Sequence, residues 1–313
     1  MWNPSSQRQI LAVGGGKGGV GKSLISSCIA YTIARLGQPV IAIDLDLGGA
    51  NLHTVLGLTP PKKCISDFLN NPSISLLDCV VETPFPNLKI IGGAKDDLNI
   101  TQLSEEKKYR LIHEIQYITG HYVILDLGAG INQYTLDFFN MADTGIVTVL
   151  PEPTSIENAY RFLKAAYFQR MHQNPAFASI RPLIEAAMTP NNNLGIHSPT
   201  DLLNEVAFRD RDLGLALKNS IKDFKPKLIV NQTRSQTDID VGFSMKSVAK
   251  KYFGIDFDYL GYLEYEPNVW QSVRRMRPIL AEFPNSRIAL HMERISNYLL
   301  KQARTGQSLN AAE

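Results

Sequence analysis

The sequence is poor in the residues that build covalent or metal scaffolds. Its three cysteines, Cys28, Cys64 and Cys79, form no CxxC pair and have no zinc or iron–sulfur spacing. They read as thiols in a reducing cytoplasm. The six histidines, His53, His113, His121, His172, His197 and His291, are scattered, and none makes the i, i+4 pair of a helical metal site. No Ser/His/Asp or Cys/His/Asn arrangement stands out. No run of about 18 apolar residues exists to span a bilayer. The start, Met1 to Gln9, is polar, and the apolar stretch after it is broken by glycines and Lys17, unlike a signal peptide. Charge of either sign is also missing in excess: Lys and Arg number 32 against 30 Asp and Glu. Any binding to nucleic acid or acidic lipid would need a local patch. There is no internal repeat and no low-complexity tract.

What is present is a rhythm. In 313 residues of ordinary globular composition, short apolar runs alternate with helix-like segments. The strand candidates are Ile10–Val13, Val40–Asp44, Leu88–Ile91, Tyr122–Asp126, Gly145–Leu150, Lys227–Asn231 and Phe257–Leu260. This pattern predicts an α/β fold, a mostly parallel sheet with helices on both faces. Ligands in such folds sit beyond the carboxyl ends of the strands. One domain is expected over residues 1–304, with a polar tail at 305–313. From His172 to about Lys222 the rhythm breaks into two helix-like stretches, Ala176–Ala187 and Asp201–Phe224, around the polar segment Asn191–Pro199. That region reads as an insertion, either an added packing layer or a surface that meets a partner.

After the first strand comes Gly14-Gly15-Gly16-Lys17-Gly18-Gly19-Val20-Gly21-Lys22-Ser23, followed by a helix candidate, Leu24–Leu36. This fits G-x-x-x-x-G-K-[ST] in the strand–loop–helix context of a phosphate loop. The loop turns backbone N–H groups toward phosphate oxygens, and the helix offers its positive end to the same anion. Lys22 is placed to reach the β and γ phosphates of a nucleoside triphosphate, and Ser23 to bind Mg²⁺. Two further apolar strands end in carboxylates. One leads to Asp44 and Asp46, spaced i, i+2 and so on one side of the strand, and the other to Asp126, followed by Leu127-Gly128-Ala129-Gly130. Carboxylates near a phosphate loop hold Mg²⁺ and position an attacking water. Asp44 and Asp126 are the metal candidates with Ser23.

Gly16 to Ser23 resembles the KGGxGKS/T deviant Walker A signature of the MinD and ParA superfamily. The resemblance implies that Lys17 crosses a dimer interface to ATP held by the other subunit, so that an ATP-dependent homodimer completes each site. It also implies that Asp46, in switch I, orients the attacking water. Asp46 to Leu52 with Leu56-Gly57-Leu58, Glu152-Pro153-Thr154-Ser155-Ile156 with Ala159-Tyr160, Leu228 to Ser235, and Leu260-Gly261-Tyr262 with Val273-Arg274-Arg275 and Arg277-Pro278 are similar to segments of the FlhG family, also called YlxH or FleN. This implies that Asn231 recognises the adenine edge. It further implies a slow, partner-regulated ATPase that positions or counts a cellular structure, such as a flagellum or the division or polar machinery, acting in the cytoplasm or at the inner face of the membrane with a protein partner. FlhG proteins commonly carry an N-terminal segment that stimulates the GTPase FlhF; here Trp2 to Gln9 precedes the first strand.

Residues 287–304 are expected to form a helix with Ile288, Met292, Ile295, Leu299 and Ala303 near one stripe. The stripe suits either a membrane surface, as in MinD and FlhG, or the protein's own sheet. The cluster Arg274, Arg275 and Arg277 keeps open a ParA-like partition ATPase that binds DNA non-specifically. A metabolic P-loop enzyme is a third class. Mrp-type iron–sulfur carriers are set aside because the chain has no CxxC.

Overall fold

Near-continuous runs of Val, Ile and Leu form strands that are buried on both faces. The computed structural model describes residues 8–93, 103–189 and 193–310, without the side chains at 252 and 304–310. Expectations that fall on residues 1–7, 190–192 and 311–313 lie outside the described residues. The strands are β1 (Gln9–Gly14), β2 (Val40–Leu45), β3 (Val80–Glu82), β4 (Leu88–Ile91), β5 (Tyr122–Leu127), β6 (Thr144–Val149), β7 (Lys227–Thr233) and β8 (Asp258–Glu264). They make one sheet of order β3-β4-β2-β5-β1-β6-β7-β8. All neighbours are parallel except β3, which runs antiparallel to β4 at the edge. The seven expected strands are present. The short edge strand β3 was not expected, and its three half-exposed residues carry no apolar run.

The helices are α1 (Lys22–Arg35), α2 (Leu52–Val55), α3 (Ile65–Asn70), α4 (Glu105–Gln116), α5 (Gln133–Met141), α6 (Pro153–Gln173), α7 (Arg181–Met188), α8 (Pro199–Arg209), α9 (Arg211–Asp223), α10 (Gln236–Val248), α11 (Pro267–Arg274), α12 (Ile279–Glu282) and α13 (Arg287–Asn310). Alternation along β1 divides the core. Ile10 and Ala12 join one cluster, with residues of α4 to α7, and Leu11 and Val13 join another, with α1 and α13.

The region from 172 to 222 is a packing layer: Phe177, Leu183, Ile184, Ala187, Leu202, Val206, Leu217 and Ile221 are buried in the first cluster. Its second stretch is two helices, not one. Asp210 takes an extended conformation, and its Oδ1 accepts the N–H groups of Asp212 at 3.0 Å and Leu213 at 2.9 Å. An aspartate that offers this bond starts a new helix and interrupts the old one.

The C-terminal helix decides between the two uses left open for its stripe. It extends to Asn310, and Ile288, Met292, Ile295 and Leu299 are each less than 5% exposed, packed with Ile25, Ile29 and Ile33 of α1. The stripe offered as a membrane face is core. No helix among the described residues is long and apolar enough to cross a membrane.

Candidate functional site

β1 is central, with β5 on one side and β6 on the other, so the loop after it opens at the switch point of the sheet. The loop ends at Gly21, which caps α1 with φ 93°, a left-handed value that favours glycine. α1 has no side-chain cap and no acidic residue in its first turn. Its first N–H groups are therefore available to an anion, which the helix dipole also favours. Gly16 packs directly on α6: a Cβ there would run into the carbonyl of Asn158. Gly18, Gly19 and Val20 complete the turn, and Ala129 of the β5–α5 loop faces Gly18.

The register of the sheet brings the acidic residues together. Asp126 pairs with Val13 across β1 and β5, and with Asp44 across β2 and β5. Asp44 and Asp126 are 1% and 0% exposed, and Lys22 is 7% exposed. Burial, and then the charge of Asp126, raises the Asp44 carboxyl above its ordinary range. Burial also raises Asp126, against the neighbouring hydroxyls of Ser23 and Ser26 and the charge of Lys22. Burial lowers Lys22, against the charges of Asp126 and Asp46.

The two buried carboxylates are used differently. Asp126 Oδ1 accepts Ser26 Oγ at 2.9 Å, while Oδ2 is buried without a partner. That orphan oxygen, beside Ser23, is what a hard cation needs. Asp44 is spent on the chain: Oδ1 accepts the Asp46 N–H at 3.1 Å and Oδ2 the Leu52 N–H at 3.0 Å. Through these two bonds it shapes the loop 46–52. Asp46 is half-buried, and Gly128 packs against it so closely that a Cβ there would come within 3.3 Å of Oδ1. The two loops after β2 and β5 thus meet at one carboxylate. Among the described residues no group of three or more His, Cys, Asp or Glu forms a metal site. The donor set present, one hydroxyl and one orphan carboxylate oxygen, fits a Mg²⁺ completed by phosphate and water.

Lys17 stands on the rim, with its side chain 38% exposed. Its Nζ is 3.3 Å from Glu152 Oε2 and 3.2 Å from Thr154 Oγ1, at the start of α6. Those two partners were visible in the sequence only as part of a resembling segment, because 135 residues separate Lys17 from Glu152. Asn231 lies beside the phosphate loop. It is 2% exposed, donates Nδ2 to the Val20 carbonyl at 2.9 Å and accepts the Gln232 N–H at 2.9 Å. Its amide braces the phosphate loop from beneath, so both ends are engaged within the chain. Near it, Arg234 lies 4.2 Å over Tyr265, and on α11 Arg274 lies 5.3 Å over Trp270. Arg275 is neutralised by Glu282 at 2.7 Å.

The family model described as an AAA domain matches residues 8–178, more than half of the chain. The antiactivator FleN of Pseudomonas aeruginosa is 26% identical over 290 residues, covering 92% of this chain and 85% of FleN. The flagellum site-determining protein YlxH of Helicobacter pylori is 30% identical over 158 residues, 50% of this chain and 53% of its own length. Among solved structures, the septum site-determining protein MinD complexed with Mg-ADP from Pyrococcus horikoshii superposes with a TM-score of 0.65 at 19% identity, covering 95% of this chain and 97% of that one. With its phosphate loop, its two lysines and its two switch loops in place, the chain belongs to the AAA domain family, in the MinD and ParA branch.

Proposed function

We propose that the protein is an ATP-dependent dimerising switch of the FleN and MinD kind, which positions or counts a cellular structure and resets by hydrolysing ATP. One observation carries this reading: Lys17 holds its side chain on the exposed rim of the phosphate loop, paired with Glu152, while Lys22 fills the buried cationic position. A lysine at that rim is placed to serve a nucleotide on a facing copy.

In this reading the N–H groups of Gly16 to Ser23 and the start of α1 hold the phosphates. Lys22 neutralises the β and γ phosphates at the back of the loop. Ser23 Oγ and Asp126 hold Mg²⁺, which when bound draws charge from the phosphate oxygens. Asp46, between the two switch loops, orients the attacking water, and Asp44 keeps the 46–52 loop in register for it. Lys17 leaves Glu152 and Thr154 on dimerisation and stabilises charge in the transition state of the facing site, as an arginine finger does. Asn231 fixes the loop while the base packs nearby. ATP favours the dimer because the dimer binds it with more contacts, and hydrolysis removes that difference. A protein partner sets the pace of turnover. We place the protein in the cytoplasm, and its membrane contact, if made, uses residues other than the buried stripe of α13.

The test compares two lysines. Lys22→Ala abolishes nucleotide binding. Lys17→Ala keeps ADP affinity within about twofold and lowers hydrolysis about 10³-fold, the scale of a missing arginine finger. Full turnover by the Lys17 variant removes the proposal. A second reading, a partition-type ATPase on DNA, is favoured by the Arg–aromatic pairs at 234/265 and 274/270 with Arg277 beside them. Salt-sensitive binding of the ATP form to random duplex DNA selects it.

A further inference from the structure

Two adjoining cavities, of about 620 and 540 Å³, lie among α4, α5, α6 and α7, and both are lined by Lys108, Tyr109, His172 and Gln173. Neither is lined by any residue of Gly16–Ser23 or by Asp44, Asp46 or Asp126. Each is within the size of small-molecule sites.

The floor is a closed polar network. Lys108, 3% exposed, lies 2.7 Å from Asp137 Oδ2 and 2.7 Å from Glu105 Oε2. Asp137 Oδ1 accepts Gln169 Nε2 at 2.5 Å and Gln173 Nε2 at 2.6 Å. Lys108 is thus shared by two carboxylates, the buried Asp137 and Glu105, whose side chain is 59% exposed to solvent. Two arginines in the larger cavity have no such balance. Arg170 is exposed and has no partner among the described residues. Arg181 donates only Nε, to the His172 carbonyl at 3.3 Å, which leaves its terminal amino groups free. The nearby acid, Glu185, is engaged by His172 at 3.1 Å. Asn140 is engaged within the chain, its Nδ2 donating to the Ala166 carbonyl at 2.9 Å. Ile112 and Met141 supply an apolar wall.

We infer that this cavity binds a small organic anion, a phosphate ester or carboxylate with an apolar body. Two guanidinium forks in a cavity whose one carboxylate, Asp137, is already taken up by Lys108, Gln169 and Gln173 select an anion, often through paired hydrogen bonds. Ile112 and Met141 take the apolar body. The place of the cavity also gives the ligand leverage. α5 follows directly from the Gly128–Gly130 loop, and α6 begins at the residues that hold Lys17. A ligand that joins α5, α6 and α7 is coupled to nucleotide binding, and the coupling is reciprocal. This regulatory role rests on the ATPase reading above. The binding itself does not.

The test titrates the full chain, first alone and then saturated with Mg²⁺ and ADP so that the phosphate loop is filled. The probes are phenyl phosphate, phenylacetate, neutral benzyl alcohol and cationic benzylamine, followed by calorimetry and amide chemical shifts. Binding by one or both anions, but not by the alcohol or the amine, is expected, with shifts at residues 108–112, 137–141 and 170–181. The two anions separate a phosphate site from a carboxylate site. Arg170→Glu and Arg181→Gln, both at exposed positions, each weaken that binding tenfold or more while melting near the wild-type temperature. Equal binding by benzyl alcohol, unchanged affinity in both variants, no binding of either anion, or shifts confined to Gly16–Ser23 overturns the site. Failure of ADP to bind, with anion binding intact, overturns the ATPase reading and leaves the cavity assignment standing.

Discussion

Five residues apart in one loop, Lys17 and Lys22 meet opposite environments: one is held on an exposed rim by Glu152 and Thr154, the other is 7% exposed beside Asp126. The loop between them depends on a third residue far along the chain, Asn231. Asn231→Ala leaves the buried Val20 carbonyl without its donor, which costs about 1–3 kcal/mol. Thermal or urea unfolding checks that loss, and ADP affinity should fall with it, because the turn that aims the N–H groups loses its brace. Wild-type stability with wild-type affinity would show that Asn231 does not brace the loop. The phosphate loop and its lysines were legible in the sequence because they are contiguous and their context is local. The brace and the Lys17 latch were not, since residue types and spacing do not reveal which strand end lies beneath a loop.

At the scale of elements, two helices test how far a pattern can be followed. The break at Asp210 was missed because an amphipathic period runs across it, and a single side-chain cap decides the matter. Asp210→Ala should cost about 1 kcal/mol, the usual worth of such a cap, and leave ADP affinity unchanged. Denaturant unfolding with nucleotide titration checks both. The seating of α13 on β8 should depend on pH. His291 packs on Tyr262 with ring centroids 4.6 Å apart, and burial lowers its pKa below 6.5, with Arg294 and Arg287 adding to the effect and Glu264 and Glu266 opposing it. The folded chain therefore prefers the neutral ring. The stability it contributes is complete above pH 6.5 and is lost as pH falls below that value toward the depressed pKa of the folded state. Burial shifts His53 the same way. His291→Phe, which keeps a ring against Tyr262, should flatten the fall in melting temperature between about pH 7.5 and pH 5. An unchanged slope would place the titration elsewhere.

For the whole molecule, the sheet was legible because buried parallel strands are written as uninterrupted apolar runs, and their polar ends fall where the site lies. Strand order was not, because apolar runs do not say which strand lies beside which. The placement of β5 between β2 and β1 is what brings Asp126 beside both Asp44 and Val13. If each site is completed by Lys17 of a second copy, hydrolysis per molecule should rise with protein concentration and level off once the dimer is saturated. A rate independent of concentration, from well below to well above the range in which ATP dimerises the chain, would mean that one copy suffices.

The seating of α13 on α1 also orders events during synthesis. Ile25, Ile29 and Ile33, on the helix that starts at the phosphate loop, are covered by Met292 and Ile295, and Arg35 is paired with Glu293 at 3.0 Å. A nascent chain that has emerged only to residue 280 has made its nucleotide loop but not the helix that seals it. That apolar face stays bare until α13 has left the ribosome. A fragment that ends before α13 should then be caught by chaperones and proteases, so the cell is spared half-made copies that could bind ATP and pair with complete ones.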